Sequence, residues 1–219
     1  MKFLLLFSFG PKELMEYLHT FLLAVLVAFV GFMPPGMINM TSMKVSLEHH
    51  RREAVLFVAG AVTVILLQSF IAVTFAKYLA HNPYIIQYLT YAAIVIFLGL
   101  AFLFYRQARQ QVRMQLKERK QNGYLAGMAM SSMNMLAIPF FLGYSTLLEA
   151  KGWLMLEPPH NYIFSLGAMA GSFLLFFIYI LFAEYIHKRV QFLARNINYI
   201  LSLLFLTLAL ITTYNTFLK

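Results

Sequence analysis

Phe32–Ser46, FMPPGMINMTSMKVS, sets two prolines and a glycine near the inner end of an otherwise apolar span. Proline has no amide proton for the helical ladder and its ring crowds the preceding turn. Pro34-Pro35 therefore predicts a break in the first membrane helix, with Gly36 easing the bend. Backbone groups freed at membrane depth are tolerated only where protein buries them or where they line a water-filled cavity. Beyond the break, Asn39, Ser42 and Ser46 follow at spacings of three and four, on one helical face. Two readings follow. The broken helix is half of a solute site, or it is a helix end capped by prolines just below the membrane surface, since Pro and Gly are common in spanning helices.

The rest of the chain decides that a membrane is the right frame. Its 219 residues are 61% hydrophobic and 11% charged, against about 25% charged in soluble domains. Nearly all of it must be spanning segment, with no room for a separate soluble domain. The formal charge of +9 sits between the hydrophobic runs, where it sets topology against anionic lipid instead of marking a nucleic-acid surface. There is no cysteine and no aspartate. Disulfides, thiolate metal sites and thiol relays are excluded, as are the aspartate pairs of proton relays and intramembrane proteases.

Met1–Phe9 carries one lysine and a short apolar run, like a miniature signal sequence. With no small-x-small cleavage site after it, it reads as an interfacial anchor, or as residues upstream of a start at Met15 instead of Met1. Six runs are long enough to cross about 30 Å of hydrocarbon: Tyr17–Ile38, Ala54–Ala76, Tyr84–Tyr105, Tyr124–Leu148, Tyr162–Ala183 and Ile197–Phe217. Between them, Lys44, Arg51, Arg52, Arg106, Arg109, Arg113, Lys117, Arg119, Lys120, Lys188, Arg189 and Arg195 fall in loops one, three and five. Lys2, Lys12, Lys77, Lys151 and Lys219 fall on the other side. An even number of spans keeps the basic loops together in the cytoplasm and puts both termini outside, in the cell (inner) membrane.

The basic segment 106–123 divides the chain into halves, 1–105 and 124–219, of three spans each. Halves of three spans enter the membrane from opposite sides. The fold class expected is all-α, with six transmembrane helices arranged as two inverted repeats, an architecture suited to alternating access. Pro34 matches Pro139 at an offset of 105, and Phe57-x-x-Gly60-Ala61 matches Phe164-x-x-Gly167-Ala168 at 107. In the fourth span Gly123, Gly127, Ser131 and Asn134 share one narrow face, and Pro139 is expected to interrupt the same helix. Ser131, Ser132 and Asn134 are thus candidates for a second half-site, or for interhelical hydrogen bonding. Gly167-x-x-x-Gly171, and Gly60 with Thr63, read as packing faces. Gln68, deep in the second span, either bridges helices or faces a cavity. Glu184, with His187 and Lys188 at spacings of three and four, forms a proton-linked gate or a surface ion pair, and Glu149 lies at another span end. The histidines fall at or outside the ends of the spans, and His49-His50 lack the spacing for a shared metal. Neither a metal, a cofactor nor a catalytic triad is expected, and the chain does not read as an enzyme.

These residues resemble the lysine exporter superfamily, the LysE/RhtB-type amino-acid exporters. Pro35-Gly36 is similar to that family's proline-glycine-proline turn in the first span, with Met37 at the third position. His50-Arg51-Arg52-Glu53-Ala54 through Ala59-Gly60-Ala61 resembles its basic GRRAG-like loop and the glycine opening its second span. Gly127 followed by Asn134 resembles its glycine-to-asparagine stretch, with Met135 in place of the usual proline. Val64 stands near the place of an acidic residue often found early in the second span. The resemblance implies export of an amino acid or derivative, coupled to protons. Within the broader superfamily, missing cysteines argue against the electron-transferring branch, and missing intramembrane acids argue against divalent-metal exporters.

The combined expectation is a secondary exporter of a small polar metabolite, with a polar pocket near mid-bilayer built from Pro34, Pro35, Gly36, Asn39, Ser42, Ser131, Asn134 and Pro139. Gln68, Glu184 and His187 are candidates for coupling or gating. A helix N-terminus after Pro35 would meet a carboxylate, and carbonyls near Pro139 an ammonium. Partners are a small-molecule solute and the lipid bilayer, with homo-oligomerisation left open and no nucleic acid. The rival is a membrane scaffold whose small-residue faces serve partner helices.

Overall fold

The computed structural model describes residues 10–80, 82, 84–85, 91, 94–95, 97–102, 105–106, 122–134 and 136–217. Seven helices are defined among them, and no strand: α1 Pro11–Gly31, α2 Met37–Glu48, α3 Arg51–Ala80, α4 Gly123–Ser132, α5 Ala137–Ala150, α6 His160–Leu181 and α7 Ala183–Phe217. Four stretches are long and apolar enough to cross a membrane alone: Lys12–Gly31, Arg51–Leu79, His160–Leu181 and Tyr199–Thr216. The pair α4 and α5, bent by 64° at their junction, makes a fifth if taken as one broken span. The expected third span, the linker 106–123 and Met1–Phe9 lie mainly outside the described residues.

The first span differs from its expected bounds of Tyr17–Ile38. It begins at Pro11, because Gly10 caps the helix, proline suits the first turn, and the Gly10 amide donates to Glu13 Oε2 at 3.3 Å. It ends at Gly31, so α1 is by itself long and apolar enough to cross a membrane, and the break follows it instead of splitting it. Pro139 is likewise displaced from its expected role. It sits third in α5, in the first turn, where its missing amide costs no hydrogen bond. Its ring would clash with the carbonyl four residues back, so α5 cannot extend upstream and the break falls at 133–136.

Two seams of glycine hold the bundle. A Cβ on Gly167 would lie 2.5 Å from the Phe21 carbonyl oxygen, and one on Gly171 2.3 Å from that of Val25, so α6 packs on α1 backbone to backbone. A Cβ on Gly60 would lie 1.9 Å from the Tyr124 oxygen, and one on Gly127 1.8 Å from the Phe57 oxygen, which packs α3 on α4 in the same manner. In both seams residue numbers rise together, so each pair of helices runs parallel. Gly123 faces Glu53, Gly127 faces Phe57, and Gln68 reaches Ser131. Between the seams the core is built from Phe57, Ile65 and Val73 of α3, Phe141 of α5, and Phe164 and Phe176 of α6. Part of the third run joins α7: Ser202 Oγ donates to the Ala101 oxygen at 2.8 Å, and the Phe97 and Phe205 rings lie 5.9 Å apart.

Candidate functional site

The first break is made by amide chemistry. The Phe32 amide donates to the Ala28 oxygen at 3.0 Å and that of Met33 to Val30 at 3.2 Å; the ladder then stops, since Pro34 and Pro35 have no amide proton. Past the end of α1 the carbonyls of Phe32, Met33 and Pro34 turn away from the helical ladder, and side chains supply their donors. Asn39 Nδ2 donates to Phe32 at 2.7 Å and to Pro34 at 3.1 Å, and the Tyr179 hydroxyl donates to Met33 at 2.9 Å. The Asn39 carboxamide lies beside that same hydroxyl. Asn39 is only 2% exposed, so the break is a buried polar joint. Ladder bonding resumes where the Met40 amide donates to the Gly36 oxygen.

Other candidates on α2 are held locally. Ser42 Oγ donates to the Asn39 oxygen at 2.8 Å, and Ser46 Oγ to the Ile180 oxygen at 3.3 Å, tying α2 to the end of α6. Pro35 is buried, while Pro34 and Gly36 are exposed.

At the second break the Met133 amide donates to the Ala129 oxygen at 3.2 Å and that of Asn134 to Ser131 at 3.0 Å. Gln68 Nε2 reaches from α3 to the same Ser131 oxygen, at 3.2 Å. Among the described residues, Gln68 Oε1 and Ser131 Oγ are buried without a hydrogen-bond partner. Asn134 is half-buried and Pro139 exposed; Ser132 is exposed and donates to the Met128 oxygen.

Aromatic rings join the first break to the start of α5, just past the second. The Phe32 ring, two residues before Pro34, lies 6.0 Å from Phe140 and 6.0 Å from Phe141, the residues after Pro139, and 5.7 Å from Phe176. Gly31 leaves room for this, since a Cβ there would sit 1.9 Å from the Phe140 ring.

The structure therefore pairs Gln68 with Ser131, and Asn39 with its own break. Glu184 is exposed in the first turn of α7, and the side chain of His187 lies outside the described residues. A groove of about 430 Å³ at Phe70, Ile71, Thr74, Phe75 and Tyr78 is apolar and contains none of the candidate residues.

Two residues were missed by sequence reasoning. Tyr179 lies near the end of α6, where a tyrosine looks like part of an interfacial belt, and its partner Met33 is 146 positions away. His160 begins α6 yet is buried, its Nε2 without a partner among the described residues and its ring 5.2 Å from that of Tyr17. The adjoining Pro158-Pro159 turn hinted at an ordered segment there.

The model of the LysE type translocator family matches residues 29–216, a stretch that takes in both breaks and all the helices after α1. The chain belongs to that family. It is thus a LysE type translocator, a multi-pass membrane protein of transport, as the resemblance at Pro35-Gly36, the basic loop and the Gly127–Asn134 stretch implied. No curated protein and no solved structure matches this translocator. Its site must be read from its own residues.

Proposed function

We propose that this chain exports an amino acid or a close derivative by alternating access, with the solute bound between the broken helices. The observation carrying the reading is the packing of Phe32, beside the first break, on Phe140 and Phe141 at the start of α5, just past the second break, in a chain of a translocator family. Free amides at the start of α2, from Gly36 onward, carry partial positive charge suited to a carboxylate. The carbonyl end of α4 carries the opposite sign, suited to an ammonium. No aspartate exists to add net charge, which favours a zwitterion over a strongly cationic solute.

Six spans and an inverted repeat belong to the same proposal, and the parallel seams support it. Gly123 lies beside Glu53 at the start of α3, so the chain leaving α3 at Ala80 must travel back about 40 Å before α4 begins. A return crossing by Tyr84–Tyr105 supplies this, consistent with its contacts at Ala101 and Phe97. Both halves also repeat one order: helix, break, short helix, long helix. With basic loops inside, both termini lie outside the cytoplasm, in the inner membrane.

The test is efflux of radiolabelled amino acids from reconstituted vesicles under an imposed proton gradient. Gradient-dependent flux of at least one neutral amino acid is expected. No such flux for any small metabolite would overturn the reading in favour of a scaffold. On this cysteine-free background, single cysteines at Asn39 and Asn134 report whether the breaks are open to water, by reacting with aqueous reagents.

A further inference from the structure

Six serines are buried among the described residues: Ser42, Ser69, Ser131, Ser145, Ser165 and Ser172. Five give their hydroxyl proton to a carbonyl three or four residues back in their own helix. That is the ordinary resting state of a serine where water is absent. Ser131 is the exception, since it is fully buried and its Oγ has no partner among the described residues.

Beside it, Gln68 is 7% exposed and divided in function. Its Nε2 is fixed on the Ser131 carbonyl, because only the nitrogen of the amide can pair with an acceptor. Oε1 is thereby fixed as the free end, again without a partner. Both oxygens belong to residues joined by the one Gln68–Ser131 bond, and each is an acceptor that a buried donor would satisfy.

We propose that Gln68 Oε1 and Ser131 Oγ, with a carbonyl of the last turn of α4, form a subsite for a primary ammonium group. The inference rests on the exporter reading and specifies the half of its site that takes the amine. A primary ammonium brings three N–H donors and no acceptor, matching a set of three oxygens. The helix end contributes partial negative charge without a carboxylate. A planar guanidinium, with five donors, would leave protons unmatched here. The bare sodium ion is the other guest that oxygens attract, and it is distinguished by experiment.

The experiment is thermal unfolding of the purified full chain in detergent with methylammonium chloride, tetramethylammonium chloride or sodium chloride at equal concentration. The two organic ions share a charge and differ in N–H donors. Methylammonium at several times its Kd is expected to raise the midpoint by about 2–4 °C, and tetramethylammonium and sodium not to. Ser131→Ala and Gln68→Met should each abolish the rise, while Ser145→Ala, a back-bonded serine elsewhere in the bundle, retains it. An equal rise with tetramethylammonium, a larger rise with sodium, no rise at all, or a rise that survives in both variants overturns the subsite. Failure of the carrier reading appears separately, as a methylammonium-specific rise without amino-acid flux. Flux without the rise removes the subsite alone.

Discussion

Removing the polar side chains that hold the first break should destabilise the protein in a fixed order. Tyr179→Phe deletes one hydroxyl and leaves the Met33 carbonyl unpaired. Interhelical hydrogen bonds in membranes average about 0.6 kcal/mol with a maximum near 1.7, and an orphaned buried acceptor costs about 1–3 kcal/mol. A loss of about 1 kcal/mol is therefore expected. Asn39→Ala deletes two bonds, to Phe32 and Pro34, at a site 2% exposed. About 2–4 kcal/mol should follow, or roughly 4–16 °C in midpoint at about 2–4 °C per kcal/mol for a chain of this size. Asn39→Asp should be worst, since an ionised carboxylate turns acceptors toward two carbonyl oxygens and donates nothing. The assay is thermal unfolding in detergent followed by far-UV circular dichroism, with vesicle flux alongside. Wild-type midpoints for both Tyr179→Phe and Asn39→Ala, or Asn39→Asp no worse than Asn39→Ala, would refute the idea that these side chains hold the break.

Four further predictions rest on packing and topology. Gly60→Leu or Gly127→Leu should cost more than the roughly 1–3 kcal/mol of ordinary overpacking, because the new Cβ meets a carbonyl of the facing helix. Gly143→Ala, with open space around its Cβ, should gain about 0.5–1 kcal/mol. Both are read from unfolding midpoints. His50→Cys should label with an impermeant maleimide only from the cytoplasmic side and Glu157→Cys only from outside; the reverse pattern inverts the orientation. A short thiol crosslinker joining cysteines at Tyr17 and His160 should spare transport, whereas one joining cysteines at Phe70 and Tyr162 should stop it.

How much of this was visible in the sequence depends on how far the deciding partner lies along the chain. The break at Pro34-Pro35 was legible because the missing amide protons belong to the prolines themselves. The bond from the Gly10 amide to the Glu13 carboxylate was equally local and marks a start at Pro11 that hydropathy alone placed at Tyr17. Pro139 was found but read as the point of interruption, although a proline is best placed just inside a helix start. The pairing of Gln68 with Ser131 spans 63 positions, and that of Tyr179 with Met33 spans 146, beyond the reach of any periodicity. Ser131 and Ser132 look alike in sequence; only burial separates the unpartnered hydroxyl from the one returned to its helix.

The same long-range contacts bear on which parts can move. Each break is tethered by a long helix of the other half: Tyr179 of α6 holds the break after α1, and Gln68 of α3 holds the break after α4. Each tether runs beside a glycine seam joining the same two helices, α6 with α1 and α3 with α4. Backbones that meet without intervening side chains cannot slide past one another without clashing, so each seam with its tether behaves as one body. Those bodies are not the sequence halves, since each combines a broken helix from one half with a long helix from the other. Between them lie side-chain contacts, the stacked rings of Phe70 and Tyr162 at 5.3 Å and the cluster of Phe32, Phe140, Phe141 and Phe176, which can repack by rotamer changes. On the proposed alternating-access reading, a solute held between the breaks is exposed to one side and then the other by rocking at this aromatic layer, with both polar joints intact throughout.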